Sequence, residues 1–216
     1  ALETLARAAG GRIGVIRSTA RTHLHATTDG LTGLFNRRTF EARARAMHRN
    51  GEQFTLVMVD LDQFKLLNDT HGHEAGDRAL RMFSQVLQEA VREHDVVSRW
   101  GGEEFTIALV GSGISEASKS LDRLRVELAG RVATSDSHPF TASFGYVDAS
   151  ACLTFEAAVR LADGALYEAK ASGRDRAVAA QPPPLPVGLA APSYDPDEDG
   201  GVDIDVPVQS GWSDES

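Results

Sequence analysis

Cysteine is almost missing from this chain: Cys152 stands alone among 216 residues. An internal disulfide is thereby excluded and a cysteine-built metal site disfavoured, and the usage fits a reducing cytoplasm. Proline is nearly absent up to residue 180, because seven of the eight lie between 181 and 216. No apolar run approaches the ~20 residues a membrane helix needs, and no secretory signal is visible. Basic residues are missing altogether from 181–216, which holds eight Asp or Glu. The net charge of -9 is therefore concentrated at one end. The remainder is near neutral, which argues against a general nucleic-acid binder.

What is present divides into three zones. Residues 1–28 read as a connecting or stalk helix, with Leu2, Leu5, Ile13 and Ile16 forming a stripe that Gly10 and Gly11 interrupt. Residues 29–180 carry the compact domain. Residues 181–216 open on Gln181-Pro182-Pro183-Pro184 and turn Asp-, Gly- and Ser-rich. Such a segment buries too little to offset its ordering entropy, so it reads as a disordered tail.

Within the domain, periodicity predicts helices from Asn36 to about His48, from about Glu74 to Arg92, from about Ser115 to Ala129, and from Phe155 to Ala171. Strands are expected at Phe54–Val59, Val96–Trp100, Phe105–Val110 and Phe140–Tyr146, with a short one near Arg176–Ala180. Gly101-Gly102 joins two of them and signals a tight hairpin, because both residues can adopt positive φ. The order implies an α+β fold: a central, mostly antiparallel sheet flanked by helices.

The acids carry the chemistry. Asp60 and Asp62 flank Leu61 where the first strand ends, and Glu103 and Glu104 follow the hairpin glycines. Such carboxylates repel one another unless a cation sits between them. Mg²⁺ suits them, because it takes hard oxygen ligands and shares its shell with substrate phosphates. Two ions would both activate an attacking hydroxyl and neutralise a leaving pyrophosphate. Lys65 lies close behind Asp60 and offers a point charge for phosphate. Asn68 and Asp77 offer the amide and carboxylate groups that match a guanine edge. Lys170 and Arg174 lie four apart at the end of the last helix, where cations are favoured in any case but can also grip phosphates. Taken singly, each residue has an ordinary structural explanation; together they do not.

Gly101-Gly102-Glu103-Glu104-Phe105 matches the motif that names the GGDEF family of diguanylate cyclases. Asp29-Gly30-Leu31-Thr32-Gly33-Leu34-Phe35-Asn36-Arg37-Arg38 resembles the family's opening. Asp60-Leu61-Asp62-Gln63-Phe64-Lys65, Asn68-Asp69, Gly72-His73, Gly76-Asp77, Ala165–Lys170 and Gly173-Arg174 follow in the family's order. The chain thus resembles a GGDEF domain from about Asp29 to Val178, and the resemblance implies a fold similar to the palm of nucleotide cyclases and polymerases. It implies an enzyme that condenses two GTP into cyclic di-GMP with Mg²⁺ (or Mn²⁺), two ions per active site. Asp60, Glu103, Glu104 and the Leu61 carbonyl would bind metal, and Glu103 would be the base for the 3′-hydroxyl. Lys65, Lys170 and Arg174 would hold phosphates. Asn68 and Asp77 would read guanine, with Phe64, His73, Leu80, Gly101 and Gly102 completing the GTP site.

The product holds two guanosine units, so two domains must face each other as a homodimer. Arg92-Glu93-His94-Asp95 has the R-x-x-D spacing of the family's inhibitory product site, and Arg123 matches a further cation there. The chain is expected in the cytoplasm, either by itself or as the cytoplasmic portion of a longer sensor protein, with membrane contact only through an upstream segment. The alternative is a catalytically inactive GGDEF module sensing GTP or cyclic di-GMP. The retained Asp60, glycines and glutamates weigh against it.

Overall fold

The computed structural model describes residues 27–183. The expected stalk over 1–28 and tail over 181–216 lie almost wholly outside these residues. In chain order the elements are β1 (Phe35–Asn36), α1 (Arg37–Arg49), β2 (Phe54–Leu61), α2 (Phe64–His71), α3 (His73–Ala90), β3 (Val96–Gly101), β4 (Glu104–Val110), α4 (Ile114–Ala133), β5 (Ala142–Asp148), α5 (Phe155–Ala171) and β6 (Ala177–Ala179). A short 3-10 turn, Ala149–Ala151, follows β5.

The six strands form one sheet in the order β1-β3-β4-β2-β5-β6. The four inner strands pair antiparallel with one another. Both outer strands are parallel: β1 to β3 and β6 to β5. The expected α+β class is therefore right, and the antiparallel character belongs to the centre of a mixed sheet.

All eight residues of β2 are buried, which requires cover on both faces. The period of two sorts them. Val57, Val59 and Leu61 pack with Phe83 and Leu87 of α3 and with Leu121 and Leu124 of α4. Leu56 and Met58 pack with Phe40 and Met47 of α1 and with Phe155, Ala162 and Leu166 of α5. Asp60 shares the α5 side by the same alternation, so its carboxylate meets the end of that helix.

Caps fix the two helices on this face. The Asn36 side chain accepts from Thr39 N at 3.0 Å to open α1, and Thr154 Oγ1 accepts from Ala157 N at 3.1 Å to open α5. Each such cap contributes about 1 kcal/mol. Gly145 then allows α5 to lie directly on β5, because a Cβ there would sit 2.1 Å from both Ala162 O and Leu166 N.

The glycine hairpin differs from expectation in one respect. Gly101 ends β3 and pairs with Glu104, so the two-residue loop is Gly102-Glu103. Gly102 has φ +51, whereas neither Gly101 nor Glu103 has a positive φ. Only the first loop position thus needs glycine, as in a turn that matches strand twist with one left-handed residue. A register shift between Arg99 and Gly101 adds a bulge just before it.

Candidate active site

The inner strands bring the predicted acids to one end of the sheet. Asp60 stands opposite Glu104 in the β2–β4 ladder. Leu61 N donates to Glu103 O at 3.2 Å, which fastens the hairpin loop to the end of β2. Lys170 Nζ lies 2.8 Å from Asp60 Oδ2, so the end of α5 is drawn to the same point. Asp60 is buried at 8% exposure, whereas Glu103 and Glu104 are half-buried.

The electrostatics are those of a crowded acidic pocket. Burial pushes the Asp60 carboxyl up, Lys170 opposes the rise, and Glu103 and Asp62 add to it. Burial also pushes Glu104 up, with Asp60 as the next cause. Ionising both groups therefore costs stability as the pH rises through their raised values, and a divalent cation would relieve that cost. The donor set is wholly hard oxygen, which fits Mg²⁺. Among the described residues no three Asp, Glu, His or Cys side chains converge on their own to form a metal cage. Two or three carboxylates fit a metal that arrives carrying phosphate oxygens in its shell.

A second group lies on α2 and α3. Lys65 is exposed and forms no ion pair among the described residues. Phe64 packs half-buried against the core. Asn68 Oδ1 is buried without a hydrogen-bond partner, an acceptor left open where most buried acceptors are satisfied. Gly76 faces it: a Cβ there would fall 2.0 Å from Asn68 Oδ1 and 2.9 Å from Phe64 Cζ. Glycine thus lets the Asn68 and Phe64 side chains of α2 pack directly against the backbone of α3. Asp77 is half-buried, 3.8 Å from Arg81, and His73 is exposed at the start of α3. Leu80 is 2% exposed within the core.

Asp62 behaves unlike its neighbour two residues earlier. Its Oδ1 accepts from Ser143 Oγ at 2.7 Å, and its Oδ2 accepts from Thr141 Oγ1 at 2.6 Å and Asp175 N at 3.1 Å. It ties the end of β2 to β5 and to the segment after α5, a role that the sequence reading did not assign to it. A strand-alternation argument puts Asp60 and Asp62 together; partners some 80 residues away separate them.

Arg99 was also missed by sequence reasoning. Its Nε and Nη2 donate to Gly102 O at 2.9 and 2.7 Å, and its Nη1 reaches Asp29 Oδ1 at 3.2 Å. Asp29 accepts in addition from Leu31 N, Thr32 N and Thr32 Oγ1. Burial alone would raise its pKa, but the Thr32 hydrogen bonds and the Arg99 charge hold it below the usual value. The glycine hairpin is thereby braced from its carbonyl side.

The R-x-x-D residues occupy the turn between α3 and β3. Arg92 is exposed. Asp95 is buried, and its two oxygens accept from Arg92 N at 2.8 Å and Val110 N at 2.9 Å. The carboxylate therefore shapes the turn from which the Arg92 side chain projects. Arg123 is exposed on α4 and donates to Ser120 Oγ at 3.1 Å.

Comparison with known proteins decides the family. The family described as "Diguanylate cyclase, GGDEF domain" matches residues 26–176. The chain belongs to the GGDEF family. Among curated GGDEF proteins it is 37% identical to the diguanylate cyclase DgcP of Pseudomonas aeruginosa over 157 residues, 70% of this chain and 23% of DgcP. It is 35% identical to the diguanylate cyclase VdcA of Vibrio cholerae, over 73% of this chain and 48% of VdcA. The chain thus spans less than half the length of either. Among solved GGDEF structures, the coiled coil and GGDEF domain of DgcB from Caulobacter crescentus in complex with c-di-GMP superposes with a TM-score of 0.70. Identity is 28%, covering 83% of this chain and 99% of that one. The diguanylate cyclase SiaD of Pseudomonas aeruginosa, in complex with its activator SiaC, gives 0.68 at 35% identity, covering 83% and 72%.

Proposed function

We propose that this GGDEF domain condenses two GTP into cyclic di-GMP, releasing two pyrophosphates, with two such domains facing each other as a homodimer. The observation that carries the reading is the meeting of Asp60, Glu103 and Glu104 beside Lys170 at one end of the inner strands. The family's curated members named as diguanylate cyclases support it.

Asp60, Glu103, Glu104 and the Leu61 carbonyl would hold two Mg²⁺ (or Mn²⁺). Such ions, when bound, supply charge neutralisation and a lowered pKa for a coordinated hydroxyl. Glu103 takes the proton from the 3′-hydroxyl of the facing nucleotide. Lys170 now offsets the Asp60 charge, and with Lys65 and Arg174 it holds the triphosphate. Asn68 and Asp77 read the guanine edge, the open Asn68 oxygen accepting a guanine N–H. Phosphoryl transfer asks mainly for positioning and charge stabilisation, and these groups supply both. Arg92, Asp95 and Arg123 form the inhibitory product site.

The deciding experiment is incubation of the purified chain with GTP and Mg²⁺, with the product identified chromatographically. Cyclic di-GMP with two pyrophosphates per product is expected; GTP binding without product would make the domain a sensor. A separate prediction concerns feedback. Arg92→Ala removes an exposed guanidinium whose own backbone, not side chain, is bonded to Asp95. It should weaken cyclic di-GMP inhibition by about tenfold or more with basal rate unchanged, the scale of one lost charge-assisted contact. An unaltered inhibition curve would remove Arg92 from that site.

A further inference from the structure

The segment that follows α5 carries two consecutive non-glycine residues in the left-handed region: Arg174 at φ +62 and Asp175 at φ +45, after Gly173 at φ +117. Non-glycine residues persist there only when surrounding contacts hold them, and such outliers gather at functional positions. The contacts are specific. Arg174 N donates to Ala169 O at 3.0 Å. Asp175 N donates to the buried Asp62 Oδ2 at 3.1 Å. On the outer side, Arg125 of α4 grips Asp175 Oδ1 through Nε and Nη2, both at 3.1 Å. Beyond the turn, Phe144 N donates to Arg176 O at 2.8 Å, which returns the chain to the sheet.

Asp60 and Asp62 therefore grip the end of α5 at two places. Asp60 holds the Lys170 side chain, and Asp62 holds the backbone one residue past Arg174. The Arg174 side chain is exposed and forms no ion pair among the described residues, so the backbone turn fixes the point from which it extends.

Resting on the phosphate role given above to Arg174, we propose that Asp62 is a positioning residue. Together with Arg125, it locks the left-handed turn at 174–175 and thereby aims the Arg174 guanidinium at the substrate triphosphate. The tether works through hydrogen bonds, not through charge. An asparagine at 62 preserves all three of them: its oxygen accepts from Thr141 and Asp175 N, and its amide donates to Ser143 Oγ, a hydroxyl that can accept as well as donate.

The test is calorimetric binding to the 216-residue chain with Mg²⁺, using 3′-deoxy-GTP and 3′-deoxy-GMP, which lack the attacking hydroxyl and do not turn over. Asp62→Ala should weaken the triphosphate about tenfold and the monophosphate less than about twofold, since only the former reaches Arg174. Asp62→Asn should restore binding to within about twofold of the parent, and Asp62→Ala should cost nothing further in an Arg174→Ala background, because residues acting through one group are non-additive. Equal loss for both nucleotides, an Asn variant as weak as the Ala variant, or losses that multiply with Arg174→Ala would each overturn the proposal while leaving the site reading intact. Unchanged triphosphate binding in Arg174→Ala alone would instead overturn the phosphate role of Arg174, and the positioning with it. Should Asp62→Ala fail to fold, Arg125→Ala decides at the surface: about threefold selective weakening of the triphosphate is expected, and unaltered binding refutes the tether.

Discussion

Glu103→Gln is expected to lower cyclic di-GMP formation by about 10²–10⁴-fold, the range for losing a positioned general base, with the fold untouched. Glutamine keeps the shape of the side chain and removes the proton acceptor. The hairpin loop does not depend on that side chain, because it is held by Leu61 N on Glu103 O and by Arg99 on Gly102 O. The charge of Glu103 is one cause of the raised Asp60 carboxyl. A raised carboxyl pKa means that stability is lost as pH climbs through it, so deleting the Glu103 charge lessens that loss. The variant should therefore be at least as stable as the parent at neutral pH while turning over poorly. Pyrophosphate release and thermal melting measured on one preparation would check both halves. Undiminished turnover removes Glu103 from the chemistry; a collapsed melt makes it a structural residue.

Gly145→Ala should have the largest effect on stability. The added methyl would lie 2.1 Å from Ala162 O and Leu166 N and 2.7 Å from Leu166 Cα. These are backbone atoms of a helix and cannot rotate aside. Relief requires α5 to lift from β5, which opens the layer formed by Phe155, Ala158, Ala162 and Leu166. Overpacking of this kind costs about 3 kcal/mol or more, which for a domain of this size lowers Tm on the order of 10 °C. Gly164 provides the control on the same helix. It is exposed with nothing within 4 Å of its would-be Cβ, so alanine there should be neutral or stabilise by up to about 1 kcal/mol. Equal melts for the two variants would mean that helix and sheet separate without cost. The Gly145 variant should also lose activity, since α5 carries Lys170 to Asp60.

Elements governed by local pattern were legible in the sequence. The helix expected at Phe155–Ala171 is found with those bounds, because its cap and apolar face lie within one window. The hairpin itself was likewise readable from its Gly-Gly turn, whereas its pairing with β2 entered the sequence reading only as a condition for Asp60 and Glu103 to converge. Contacts made across the chain were not. Nothing near Asp62 announces Thr141, Ser143 or Asp175, and nothing near Asp29 announces Arg99. The two-residue β1 was missed because it exists only by pairing with β3. β5 starts at Ala142 and runs on to Asp148, where Phe140 to Tyr146 was expected, since hydrophobicity marks burial and not the limits of a ladder. A glycine inside an apolar strand does hint at a close approach, and Gly145 could have been flagged on that ground.

The sheet ends on one side in a strand of two residues and on the other in a strand of three. Long, bare strand margins invite a neighbouring copy to zip on through main-chain pairing and remain there. Among the described residues the two outer strands offer little such template. The homodimer proposed above would then join through side-chain surfaces, which can part again and release a molecule built between two bodies.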